Sequence, residues 1–94
     1  MTKPEFTPGP LLVSSGAFTL VMDLRGTVIA NLTPIHPAKS QKECLANAAL
    51  FAVSPDLYRE LTKLVRIIRD EYPKDQADDL VAAAEEALVR AIYP

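Results

Sequence analysis

Arg59, Lys63 and Arg66 stand at i, i+4 and i+7 in the stretch "LYRELTKLVRIIRD", with Tyr58 in front and Arg69 close behind. On a helix this spacing gathers the three cations on one face. Such a row can hold an acidic partner, or the phosphates of a nucleotide or nucleic acid. A nucleotide site built from it would have to be assembled between subunits. The plainer reading is a set of solvated ion pairs with Glu60, Asp70 and the acidic segment that follows, each pair contributing little.

Asn47, set among alanines, is the other polar side chain of interest. Its amide can meet a ligand or partner, or can tie its helix to the strands or the connector through a backbone hydrogen bond, as a buried amide must. Cys44 and His36 are the sole residues of their kinds. A Cys–His nucleophile pair needs an orienting group and an oxyanion hole as well, and no such arrangement is visible. A small buried thiol and a surface imidazole are expected instead. Neither C-x-x-C nor H-x-x-x-H occurs, so a zinc site would lack ligands. Asp78, Asp79, Glu85 and Glu86 fit an exposed helix face. No G-x-x-x-x-G-K-[ST] loop is present to cradle phosphate. No catalytic residue, cofactor or metal is expected, and the chain reads as non-enzymatic.

The 94 residues suit one domain and are 49% apolar, inside the normal range for a soluble protein. No apolar run approaches a membrane span, and "MTKPEFTPGP" lacks the apolar segment of a secretory signal. A single cysteine cannot form an internal disulfide, which fits a reducing, cytoplasmic setting. The net charge of −2 argues against a dedicated nucleic-acid binder. Charge is unevenly spread: residues 73–94 carry −3, with Lys74 and Arg90 against Asp75, Asp78, Asp79, Glu85 and Glu86.

These side chains must be positioned by few elements. Residues 1–10 hold Pro4, Pro8 and Pro10 around Gly9 and read as a flexible, extended arm. Residues 11–94 are expected to form a single α+β domain. "LLVSS", "AFTLVMDL" and "TVIANL" predict two or three antiparallel strands, with "DLRG" as a turn in which Gly26 takes positive φ and Asp23 caps. In the middle segment Phe18, Leu20 and Met22 alternate with Thr19, Val21 and Asp23. A hairpin or small meander of this kind needs helices to cover it.

After the proline-broken connector, Ser40 and Glu43 form a capping box for a short helix with Leu45, Ala48, Ala49, Ala52 and Val53 on one face. Ser54-Pro55 is expected to stop that helix and start a second, striped by Leu57, Leu61, Leu64, Val65 and Ile68. Asp75 is expected to cap a third, striped by Ala77, Leu80, Val81, Ala84, Leu88, Ala91 and Ile92. The short link between the last two makes them antiparallel neighbours. Phe6, Phe51, Tyr58, Ile67, Tyr72 and Tyr93 exceed what narrow stripes bury, so a homodimer or higher oligomer through these two helices is expected.

The segment "ANAALFAVSPDLYREL" resembles a pattern of small accessory proteins of tailed phages and prophages, A-N-A-x-L-x-A-x-x-P-x-L-x-x-x-L. Ala46, Asn47, Ala48, Leu50, Ala52, Pro55, Leu57 and Leu61 fill it. "DLRGTVIA" is similar to the hairpin that precedes the helices in that family, and "DDLVAAAEEALVRAI" to its alanine-rich last helix. Ser54 stands where alanine is usual. The resemblance implies a protein made in the infected or lysogenic cell and aimed at a host protein, with inhibition of a bacterial defence system as the sharpest form. The rival expectations are an oligomeric sponge for a nucleotide signal and a nucleic-acid-binding regulator. Arg59, Lys63, Arg66, Asn47 and Tyr58 are the candidate partner- or ligand-binding residues, and in the sponge Arg59, Lys63 and Arg66 grip the nucleotide.

Overall fold

A computed structural model describes residues 5–33 and 40–93. The fold is α+β: a three-stranded antiparallel sheet of β1 (Leu12–Ser14), β2 (Leu20–Met22) and β3 (Val28–Asn31) precedes two helices, α1 (Gln41–Glu71) and α2 (Lys74–Ile92). The chain divides into two compact units, one of residues 7–56 and one of residues 57–94 together with the first six. His36, expected as a surface imidazole, lies outside the described residues.

In the first unit the sheet runs in the order β1-β2-β3, with Val13 opposite Val21 and Val21 opposite Ala30. The register then slips between Val21 and Met22, so that Met22 pairs with Val28. Such a bulge sharpens local twist and re-aims side chains. The β2–β3 turn forms as its residues dictate. Asp23 Oδ1 accepts from the backbone N–H of Arg25 and of Thr27 at 2.9 and 3.0 Å, and Gly26 adopts φ +85°.

The inward face of the central segment is that of Thr19 and Val21, both fully buried, while Phe18 is exposed. Thr19 is satisfied on every side. Its N–H donates to Thr33 Oγ1, its carbonyl accepts from Leu32 N–H, and its hydroxyl oxygen accepts from Gln41 Nε2. A buried hydroxyl left without partners would cost roughly 1–3 kcal/mol, so this network is what allows a threonine into the core. Leu11, Val21, Ala48 and Ala52 form that core, with Ile29, Ala30 and Leu32 packed against it.

One expectation is corrected. Ser54-Pro55 does not end a helix: α1 is continuous from Gln41 to Glu71 with Pro55 inside it. Proline cannot donate to the carbonyl four residues back, which here belongs to Phe51. The Ser54 hydroxyl donates to that same carbonyl at 2.7 Å, so the backbone group that proline orphans keeps a partner. The expected short helix is therefore the first part of α1. Its buried row is Cys44, Ala48, Ala52 and Pro55, at helical spacing. Cys44 is the buried free thiol expected of it. At the start of α1, Ser40 Oγ accepts from Glu43 N–H at 3.1 Å, the serine half of the capping box.

A second correction concerns the start of α2. Pro73, not Asp75, occupies the N-cap position and no side chain caps the helix. Asp75 sits instead in the first turn, where its charge favours the positive end of the helix.

Candidate interaction surface

The second unit is a helical hairpin made by residues 57–71 of α1 and by α2, reversed at Tyr72 and Pro73. Arg69, in the last turn of α1, bonds to Asp78 and Glu85. Tyr58 and Tyr93, at the other end, line a common pocket. The two helices are thus antiparallel. Val65 of α1 and Ala77 and Val81 of α2 are its buried apolar residues; the alanine admits close backbone approach.

Arg69 is the polar centre of this hairpin. Its Nε donates to Glu85 Oε2 at 3.1 Å, its Nη2 to the other Glu85 oxygen and its Nη1 to Asp78. One guanidinium thereby grips Glu85 with two parallel bonds and reaches a second carboxylate, the fork geometry that makes arginine the tightest such partner. The hydrogen bonds to Glu85, then those to Asp78, hold Arg69 even more firmly protonated than usual. The Arg69 hydrogen bond in turn holds the Asp78 carboxyl below the usual carboxylate range. Arg69 thus joins the two helices and is withdrawn from the cation row.

The remaining row is split. Arg59 Nε and Lys63 Nζ both reach Glu60 Oε1, at 3.3 and 3.4 Å, with all three side chains more than half exposed. The hydrogen bond from Arg59, reinforced by Lys63, keeps the Glu60 carboxyl below its ordinary range. Arg66 is exposed and makes no ion pair with the described residues. The structure therefore keeps Arg59, Lys63 and Arg66 on one exposed face, with Arg66 the cation left open there.

Tyr58 is half-buried. Phe6 packs edge-on against its ring, with centroids 5.0 Å apart and planes at 78°, an arrangement aromatic quadrupoles favour. Beside it a pocket of about 350 Å³ opens between the helices, walled by Val65, Leu88, Val89 and Ile92 and edged by Thr62, Glu85 and Tyr93. Asn47 stands in the other unit, exposed on α1. Its side chain makes no hydrogen bond with the described residues, so the expected tie to the strands is not formed there.

What the sequence reading missed is the exposure of its own stripes. Leu57 and Leu64, assigned to the buried face, are 53% and 56% exposed, and Leu80 of α2 is 60% exposed. In the sheet unit Phe18, Leu24, Leu50 and Val53 are also exposed. Periodicity identifies an apolar arc but does not say how much of it the chain itself covers. Among the described residues no cluster of three or more metal-ligating side chains occurs. No helix among them is long and apolar enough to cross a membrane.

A family model described as Salmonella phage P22 protein Y8K6 matches residues 1–92. The chain belongs to this family. The phage P22 Y8K6 family thus accounts for both units, since the match runs from the residues before the sheet to the end of α2. Neither curated proteins nor solved structures give a match to the chain.

Proposed function

We propose that this phage-family protein is non-enzymatic and works by binding a host macromolecule, foremost a host protein, in the cytoplasm of the infected or lysogenic cell. Inhibition of a bacterial defence system is the sharpest form of that reading. The observation that carries it is the excess of exposed apolar side chains. Leu24 at the hairpin turn is 66% exposed, Leu50 is 63% and Phe18 is 59%, in a unit whose core cluster among the described residues is Leu11, Val21, Ala48 and Ala52. Side chains of this kind, where they gather into one patch, are what an interaction site is built from.

The test is native mass spectrometry of the tagged protein after incubation in host lysate, run beside Leu24→Asp and Leu50→Asp variants of unchanged circular dichroism. A host protein retained by the wild type and lost from both variants supports the reading. A retained protein indifferent to both sinks it.

A second reading is favoured by one specific observation, the open Arg66 beside Arg59 and Lys63. In that reading the cation face holds the phosphates of a nucleotide or nucleic acid. Lys63→Ala and Arg66→Ala would then abolish binding while the fold survives, and nucleic-acid binding would weaken steeply with salt. A flat titration at low salt excludes it.

A further inference from the structure

The helical hairpin leaves open an apolar face that its own two helices do not close. Tyr58, Val65 and Arg69 mark the row of α1 turned toward α2. At about 100° per residue, Leu57 and Leu64 lie roughly a quarter-turn or a little more to one side of that row. On α2 the row turned toward α1 contains Asp78 and Glu85, and Leu80 lies to its side in the same rotational sense. In an antiparallel pair, rows displaced in the same sense emerge on the same face. Leu57, Leu64 and Leu80 therefore share one face of the hairpin, each more than half exposed.

We propose that this face packs against the same face of a second copy, giving an isologous dimer with a four-helix core. Two features favour self-contact over an unlike partner. First, an isologous contact sets groups near its two-fold axis against their own images, so charge near the axis repels itself. Between Leu57 and Ile68 the first row carries no charged residue, being continued by Leu61 and Ile68, and Glu71 stands only at its far end, the last residue of α1; Ala84, Ala87 and Ala91 continue the second. Arg59, Lys63 and Arg66 lie on the other side of α1, where a self-contact leaves them in water.

Second, the size fits. Fifteen residues of α1 span about 22 Å and two packed helices are about 20 Å wide. Two copies would then bury on the order of 900 Å², near the roughly 1,000 Å² lower bound of specific interfaces. That area suits a reversible dimer, not an obligate one.

The experiment is sedimentation equilibrium of the full chain across about 1–100 μM, a range that brackets micromolar dissociation constants. The wild type is expected to pass from monomer to dimer. Leu64→Asp and Leu80→Asp should each weaken the dimer at least about tenfold, whereas Leu24→Asp, at the β2–β3 turn and on neither helix, should leave it unchanged. Leu64→Ala combined with Leu80→Ala gives the same readout without a new charge, should either aspartate variant lose its helical circular dichroism. A wild type monomeric throughout overturns the proposal. So does a dimer that survives the Leu64 and Leu80 changes, or one dissociated by Leu24→Asp.

Discussion

The Ser54 hydroxyl donates to the carbonyl of Phe51 at 2.7 Å, the backbone acceptor that Pro55 cannot serve. This one bond lets α1 run 31 residues through a proline.

A double-mutant cycle tests that coupling. Ser54→Ala should cost about 0.5–1.5 kcal/mol, the usual net value of one hydrogen bond. Pro55→Ala restores an N–H to the Phe51 carbonyl and should make Ser54→Ala nearly neutral. Urea denaturation of the four chains supplies the cycle; equal costs of Ser54→Ala in both backgrounds would show that the hydroxyl does not compensate for the proline.

Arg69→Ala should lower the melting temperature of the hairpin unit, because it strands Glu85 and Asp78 beside one another on α2. Raised salt should shrink the difference from wild type, since these groups are partly exposed and screened. Thermal melts of both proteins at low and high salt check both expectations. Equal melting temperatures would show that the clamp contributes no stability.

The same clamp sets an acid limit. Asp78 has its carboxyl lowered by Arg69, and Glu60 by Arg59. A group lowered on folding stabilises fully above its unfolded value, about pH 4 for carboxylates, and loses that contribution as pH falls through the folded value. Stability should therefore be flat near neutrality and decline below about pH 4. Arg69 itself is raised and stays charged through this range, so it adds no slope. In Arg69→Ala the acid decline should be shallower, which a pH series of urea midpoints will reveal.

Gly26→Ala should destabilise the sheet unit by about 1–2 kcal/mol, because φ +85° places any Cβ in a conformation that L residues reach only at that cost. The space around Gly26 is open, so the penalty is purely conformational. Ala48→Leu should cost at least about 1–3 kcal/mol for the opposite reason, overpacking of a fully buried position. Chemical denaturation reads both.

Much of this architecture is legible in the residues. Asp23 and Gly26 specify the turn, the alternating apolar runs specify strands, and Ser40 marks the helix start. In each case the signal lies within a few residues of the structure it forms. The alternation in β2 marked two faces without deciding which was inward. The bulge and the hydrogen bonds to Thr33 and Gln41 bury Thr19 and Val21 instead of Phe18.

The cation row was equally visible, but its division was not. Arg69 leaves it for carboxylates nine and sixteen residues away, whereas Glu60 takes up Arg59 and Lys63 locally. The sequence by itself determined the elements, their order and the apolar and charged arcs on each helix, because these follow from backbone propensity and period. The bond that carries Pro55 inside α1 is itself local; only the tertiary structure decided that Arg69 is consumed by carboxylates of α2 and which leucines stay in water. Those outcomes depend on groups brought together by the chain's path, and no local pattern encodes that distance.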